Sequence, residues 1–165
     1  MRSLLVVVIA PILIGSPAYG LRGVFPLTEC DRLVEIEAGL GSRFVRTVPP
    51  EPSAAYRVLF EGNSRGHAAS VSYNCESGKV ILQMILIKAD SENGGRTIFS
   101  DWRSQLVADF GQPFIDLDVP SVADIEKEVG SSVRRVATWV SGGRVITVTF
   151  FGTGDETWHI TIHGP

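Results

Sequence analysis

Val145-Ile146-Thr147-Val148-Thr149-Phe150-Phe151 and, beyond a Gly152-Thr153-Gly154-Asp155 turn, Thr157-Trp158-His159-Ile160-Thr161-Ile162-His163 decide the fold. Successive side chains on a strand point to opposite faces, so a two-residue period sorts these residues into two sets. Ile146, Val148, Phe150, Trp158, Ile160 and Ile162 share one face, and Thr147, Thr149, Thr157, His159, Thr161 and His163 share the other. The apolar set needs cover, while the threonine-rich set tolerates water. Val136 to Val140, just before Gly142-Gly143, continues the pattern as a hairpin partner, with Ala137 and Trp139 inward and Thr138 outward. The reading is an antiparallel sheet with helices on one face and nothing on the other.

Upstream of these strands, Trp102, Leu106, Val107 and Phe110 keep helical spacing. Ser100 or Asp101 offers that helix an N-cap, and Gly111 with Pro113 stops it. Ser121-x-x-Asp124 opens a short predicted helix bearing Val122, Ile125 and Val129, closed by Gly130. In the first half, Thr28-x-x-Asp31 resembles a capping box for a helix from near Glu29 to near Gly39, with Leu33, Ile36 and Leu40 as its stripe. Three strands follow it, marked by Tyr56, Val58 and Phe60, by Ala69, Val71 and Tyr73, and by Val80 to Ile87. The last is apolar on both faces apart from Gln83, so Ile81, Ile85 and Ile87 need a cover of their own. Asp90 to Arg96, containing Asn93-Gly94-Gly95, reads as a link.

The halves also read against one another. Gly39-Leu40-Gly41-Ser42-Arg43-Phe44-Val45 aligns with Asp109-Phe110-Gly111-Gln112-Pro113-Phe114-Ile115, and Val71-Ser72-Tyr73 aligns with Val148-Thr149-Phe150. The register drifts between the two matches, which places an insertion within Asp116 to Ser132. The expected fold is therefore α+β: two tandem units, each a helix plus three antiparallel strands with the helix on one sheet face. The units span residues 21–90 and 97–165 and together make one compact domain.

Composition narrows the function. The chain has 165 residues, 44% hydrophobic and 20% charged, with a formal net charge of −3. Such a chain has the apolar content to bury a core. The acidic balance opposes nucleic-acid binding and a basic membrane-surface helix. Met1-Arg2-Ser3, the apolar run Leu4 to Gly15 and Ala18-Tyr19-Gly20 have the three-part layout of a secretory signal. The run is about a dozen residues where a spanning helix needs roughly 20. Residues 1–20 are thus expected to be a signal peptide, leaving no stable membrane span, and the destination is the periplasm or the exterior of a bacterial cell. In that oxidising setting Cys30 and Cys75 are expected to form a disulfide, since each lies on an inward face.

Chemistry-bearing patterns are sparse. Gly62-Asn63-Ser64-Arg65-Gly66, followed by His67, matches Gly-x-Ser-x-Gly, but that pattern works on a strand-to-helix turn and here a strand follows. His159 and His163 are four apart, which on a strand separates their Cα atoms by about 13 Å, too far for one metal. Asp116-x-Asp118 with Asp124 lacks the glycine and terminal glutamate of a calcium loop and reads as a solvated helix approach. No catalytic, metal or cofactor site is expected. The flat face of Thr147, Thr149, His159, Thr161 and His163 is the candidate partner-binding surface.

Phe110-Gly111-Gln112-Pro113 after a helix, then Trp139, Val145 to Phe150 and a closing strand resemble the helix-and-three-strand unit of the SmpA/OmlA envelope family. Two such units in tandem are similar to the architecture of the β-lactamase inhibitory protein family. The resemblance implies a non-enzymatic envelope module that presents a sheet face to a protein. The expected function is an exported binding or inhibitor module whose partner is another envelope or secreted protein. A small-ligand or lipid carrier, marked by a deep pocket, is the alternative. An envelope enzyme, marked by convergent titratable groups in a cleft, is the third reading.

Overall fold

The computed structural model describes residues 29–49, 54–119, 131–153 and 157–164. A single 3-10 turn, Cys30–Arg32, leads into helix α1, Leu33–Gly39, which ends at the positive-φ Gly41. Four strands follow: β1 Arg43–Val48, β2 Ala55–Ser64, β3 His67–Glu76 and β4 Lys79–Ala89. Helix α2 spans Glu92–Phe110 and precedes β5 Ile115–Asp118, β6 Ser131–Ser141, β7 Arg144–Thr153 and β8 Trp158–Gly164. All eight strands join one antiparallel sheet in the order β1-β2-β3-β4-β8-β7-β6-β5.

This corrects the expected fold class. The chain does not build two helix-plus-three-strand units; β4 and β8 pair over Gln83 to Ala89, and the fold is dominated by one continuous sheet. The strands absent from the sequence reading are β1 and β5, the two edges. A register shift between Phe44 and Arg46 breaks the alternation of β1, whose residues are mostly exposed. β5 is only four residues long and carries two aspartates. Neither strand is buried enough to demand the apolar pattern by which strands are recognised. The helices are also unequal. α1 touches β1 at one end of the sheet, whereas α2 packs on β4, β6, β7 and β8.

The link expected at residues 90–96 is the first part of α2. Ser91 caps it, its hydroxyl accepting from the backbone N–H of Gly94 at 3.1 Å. Gly95 is there for closeness: a Cβ at this position would stand 2.3 Å from Cε2 of Phe150 on β7. The glycine lets helix and sheet approach where any side chain would collide. Ile98, Phe99, Trp102 and Leu106 continue that buried stripe. The indole N–H of Trp139 donates to the carbonyl of Gly111 at 2.9 Å, tying the end of α2 to β6. The expected capping residue Thr28 and the helix expected over 121–130 lie outside the described residues.

The helix-side face is a closed core. Val58, Phe60, Val71, Ile85, Ile87, Ala137, Trp139, Ile146, Val148, Phe150, Ile160 and Ile162 are buried there. Ile85 and Ile87 thus receive their cover within the chain, while Ile81, beside a register shift in the β3–β4 pairing, is half exposed. Cys30 and Cys75 form the disulfide, Cα to Cα 6.2 Å, pinning the start of the helical segment to β3. A fully buried carboxylate lies nearby. Glu37 on α1 accepts from the hydroxyl of Tyr73 at 2.5 Å, and Tyr73 accepts from the Gln83 amide at 2.8 Å. Burying a carboxylate is costly unless hydrogen bonds replace its water, and the Tyr73 hydroxyl supplies one of them.

Candidate functional site

The opposite sheet face has no helix on it among the described residues. Directly paired residues share a face in an antiparallel sheet, so the register defines its rows. One row runs Leu59, Ser72, Met84, His163, Thr147, Thr138 and Ile115. The next runs Glu61, Ser70, Leu86, Thr161, Thr149, Val136 and Leu117. A third brings Lys88, His159, Phe151 and Val133 together. The residues expected to form the partner surface, Thr147, Thr149, His159, Thr161 and His163, therefore stand side by side on β7 and β8.

Local chemistry fixes several of them. The hydroxyls of Thr138 and Thr147 lie 3.1 Å apart across β6 and β7. The His159 ring stacks on Phe151 with centroids 5.4 Å apart, and its Nε2 lies 3.1 Å from the Thr157 hydroxyl. His163 sits half buried between Met84 and Thr147, and this desolvation lowers its pKa below the ordinary histidine value. Thr161 lies between the two histidines on the strand, so the rings do not converge. Among the described residues no group of three metal-ligating side chains forms.

The sequence reading missed how apolar this face is. Leu82, Met84 and Leu86 are partly exposed on β4, and Leu117, Val140 and Val145 are each more than half exposed at the other end. Ile115 and Val133 add to them on the same face. The alternation in Ile115-Asp116-Leu117-Asp118 was the available signal. It is a strand rather than a solvated helix approach, and its aspartates turn to the helix side. There Asp116 accepts from Arg103 of α2 at 2.9 Å and lies 3.9 Å from Arg135.

Ser64 and His67 flank the turn Arg65-Gly66, in which both residues have positive φ, so the Gly-x-Ser-x-Gly stretch is a two-residue β-hairpin. The Ser64 hydroxyl is buried with no hydrogen-bond partner. A strand follows it, so the segment does not form the exposed elbow that nucleophilic serine chemistry uses. Among the described residues no helix is long and apolar enough to cross a membrane. The chain matches no protein-family model, no curated protein and no solved structure.

Proposed function

We propose that this protein is an exported, non-catalytic binding module that docks another envelope or secreted protein on its open sheet face. The observation that carries the reading is a sheet face that, among the described residues, bears no helix and carries exposed apolar residues at both ends of its rows, Met84 and Leu86 on β4 and Ile115, Leu117, Val133, Val140 and Val145 on β5 to β7. Exposed apolar residues gathered on one surface and interleaved with hydroxyls have the composition of a docking patch. The disulfide is compatible with an oxidising compartment, in agreement with the signal-like N-terminal sequence. The threonines supply hydrogen-bonding groups without the desolvation cost of charge.

The test is site-specific photo-crosslinking in cells that make the protein. A photoreactive residue at Thr149 should yield one discrete adduct, and the same residue at the exposed Glu35 of α1 should not. Leu86→Glu should abolish the Thr149 adduct while the thermal unfolding midpoint stays within a few degrees of the parent. No discrete adduct at Thr149, or identical products from both positions, would overturn the assignment.

A further inference from the structure

On the other side of the molecule, the β2–β3 hairpin and α2 enclose a groove of about 420 Å³. Arg65 and His67 form the hairpin wall; Asp101 and Gln105, one turn apart on α2, form the helix wall; Ile98 and Trp102 form the floor. The groove has the size of a small-molecule site and mixes an apolar floor with a few polar groups at its rim.

Three observations point to what it would hold. The Arg65 guanidinium lies over the Trp102 ring, 5.4 Å from its centroid, and is in no ion pair within the described structure. The contact with the ring face engages none of its N–H groups in an ion pair, which leaves them to meet a carboxylate. The turn beneath it is fixed, because Asn63 Oδ1 accepts from the backbone N–H of Gly66 at 2.7 Å. Trp102 is 1% exposed, yet its indole N–H finds no acceptor, an uncompensated donor in a groove-lining residue. Across the groove Asp101 is exposed and likewise in no ion pair, while the Gln105 amide is committed to Asp109 at 3.0 Å. A cation and an anion therefore face one space without closing on each other.

We infer that this groove is a binding site for a small zwitterion, a free amino acid or short peptide, whose carboxylate meets Arg65 and whose ammonium meets Asp101. An anion alone would leave Asp101 opposed, and a cation alone would leave Arg65 opposed. A ligand carrying both charges satisfies both walls of the groove. The site does not depend on the sheet face, which lies on the opposite side of the strands.

The test is a titration of the full chain with glycylglycine, followed by ¹⁵N–¹H NMR of the Trp102 indole, with acetate and ethylammonium at matched ionic strength as single-charge controls. The expected result is a saturable shift of the indole resonance with glycylglycine, at a concentration at least tenfold below any effect of either control. Arg65→Gln and Asp101→Asn should each weaken binding at least tenfold, and both are exposed positions whose change leaves the fold intact. Thr149→Arg should leave the titration unchanged. Absence of a saturable shift overturns the proposal. So does acetate acting as well as glycylglycine with Asp101→Asn tightening it, since that pattern describes an anion site.

Discussion

Replacing Gly95 with alanine tests the closest contact in the fold. In an exposed helix Gly→Ala stabilises by up to about 1 kcal/mol, because the glycine backbone loses more freedom on folding. At Gly95 the new Cβ would stand 2.3 Å from Cε2 and 2.9 Å from Cζ of Phe150. The Phe150 ring is completely buried and packed within 5.4 Å of Trp158, so it has no open space to enter. Overpacking costs about 1–3 kcal/mol, and so close an approach to a fixed ring belongs at the upper end, about 2–3 kcal/mol, which exceeds the propensity gain and leaves Gly95→Ala destabilised by about 1–2 kcal/mol. Gly39, on α1, would meet nothing within 4 Å, so Gly39→Ala keeps the propensity gain alone. Thermal and urea unfolding of both variants should give opposite signs, with the Gly95 variant melting several degrees lower. Adding Phe150→Leu should recover part of the loss, a coupling of about 0.5–3 kcal/mol in a double-mutant cycle. A stabilised Gly95→Ala would refute the close approach of α2 to β7 and restore the glycines to a linker.

Three further outcomes follow from the buried groups. Mass spectrometry of the unreduced protein should find no alkylatable thiol, and reduction or Cys30→Ser with Cys75→Ser should lower stability by about 4 kcal/mol, the chain-entropy value for the 45-residue separation. Tyr73→Phe should cost about 1–3 kcal/mol by urea unfolding, because it takes a donor from the buried Glu37 and the acceptor of Gln83; a neutral result would mean water reaches the pair. His163 has its pKa lowered by desolvation, so the folded state binds its proton less readily than the unfolded chain, whose histidine titrates near 6.5. The sign is therefore a stability that is intact above 6.5 and declines as pH falls below it, and His163→Gln should flatten that decline in unfolding measurements between pH 7 and 5.

The extent to which the sequence carried this fold varies along the chain for a physical reason. The face assignments on β6, β7 and β8 were legible because those strands are central: Ala137, Trp139, Ile146, Val148, Phe150, Ile160 and Ile162 are all buried, so alternation is enforced at every position. β4 was harder. Its open face carries Leu82, Met84 and Leu86, and apolar residues on both sides erase the period that reveals which side faces the core. At the edges selection on pattern relaxes, and β1 and β5 left little trace. The link at 93–95 failed differently, since a glycine pair in sequence reads equally as freedom or as closeness, and only Phe150 distinguishes the two. For the candidate face, the polar members were visible from the threonine period. The apolar members were not, because the Ile115-Asp116-Leu117-Asp118 alternation is only four residues long and its two aspartates read equally as a solvated loop until β6 is beside it.

An open apolar face raises the question of why these molecules would not simply bind each other, and the edges supply an answer. A sheet self-associates most readily by adding strands to an unprotected edge. Here β1 presents a break in register at Val45 and the exposed charges of Arg43 and Arg46, with Arg43 bridged to Glu61 of β2. β5 offers only four residues of ladder, too short to template a long partner strand. Edge growth is thus disfavoured at both ends, while among the described residues no helix covers the surface between them. On that surface the leucines, methionine and valines are separated by Thr138, Thr147, Thr149 and Thr161; Thr138 and Thr147 meet hydroxyl to hydroxyl, and Thr138 and Thr161 are themselves buried between their neighbours. If the proposed docking holds, this arrangement leaves the flat face rather than the edges as the surface whose apolar area a partner would bury.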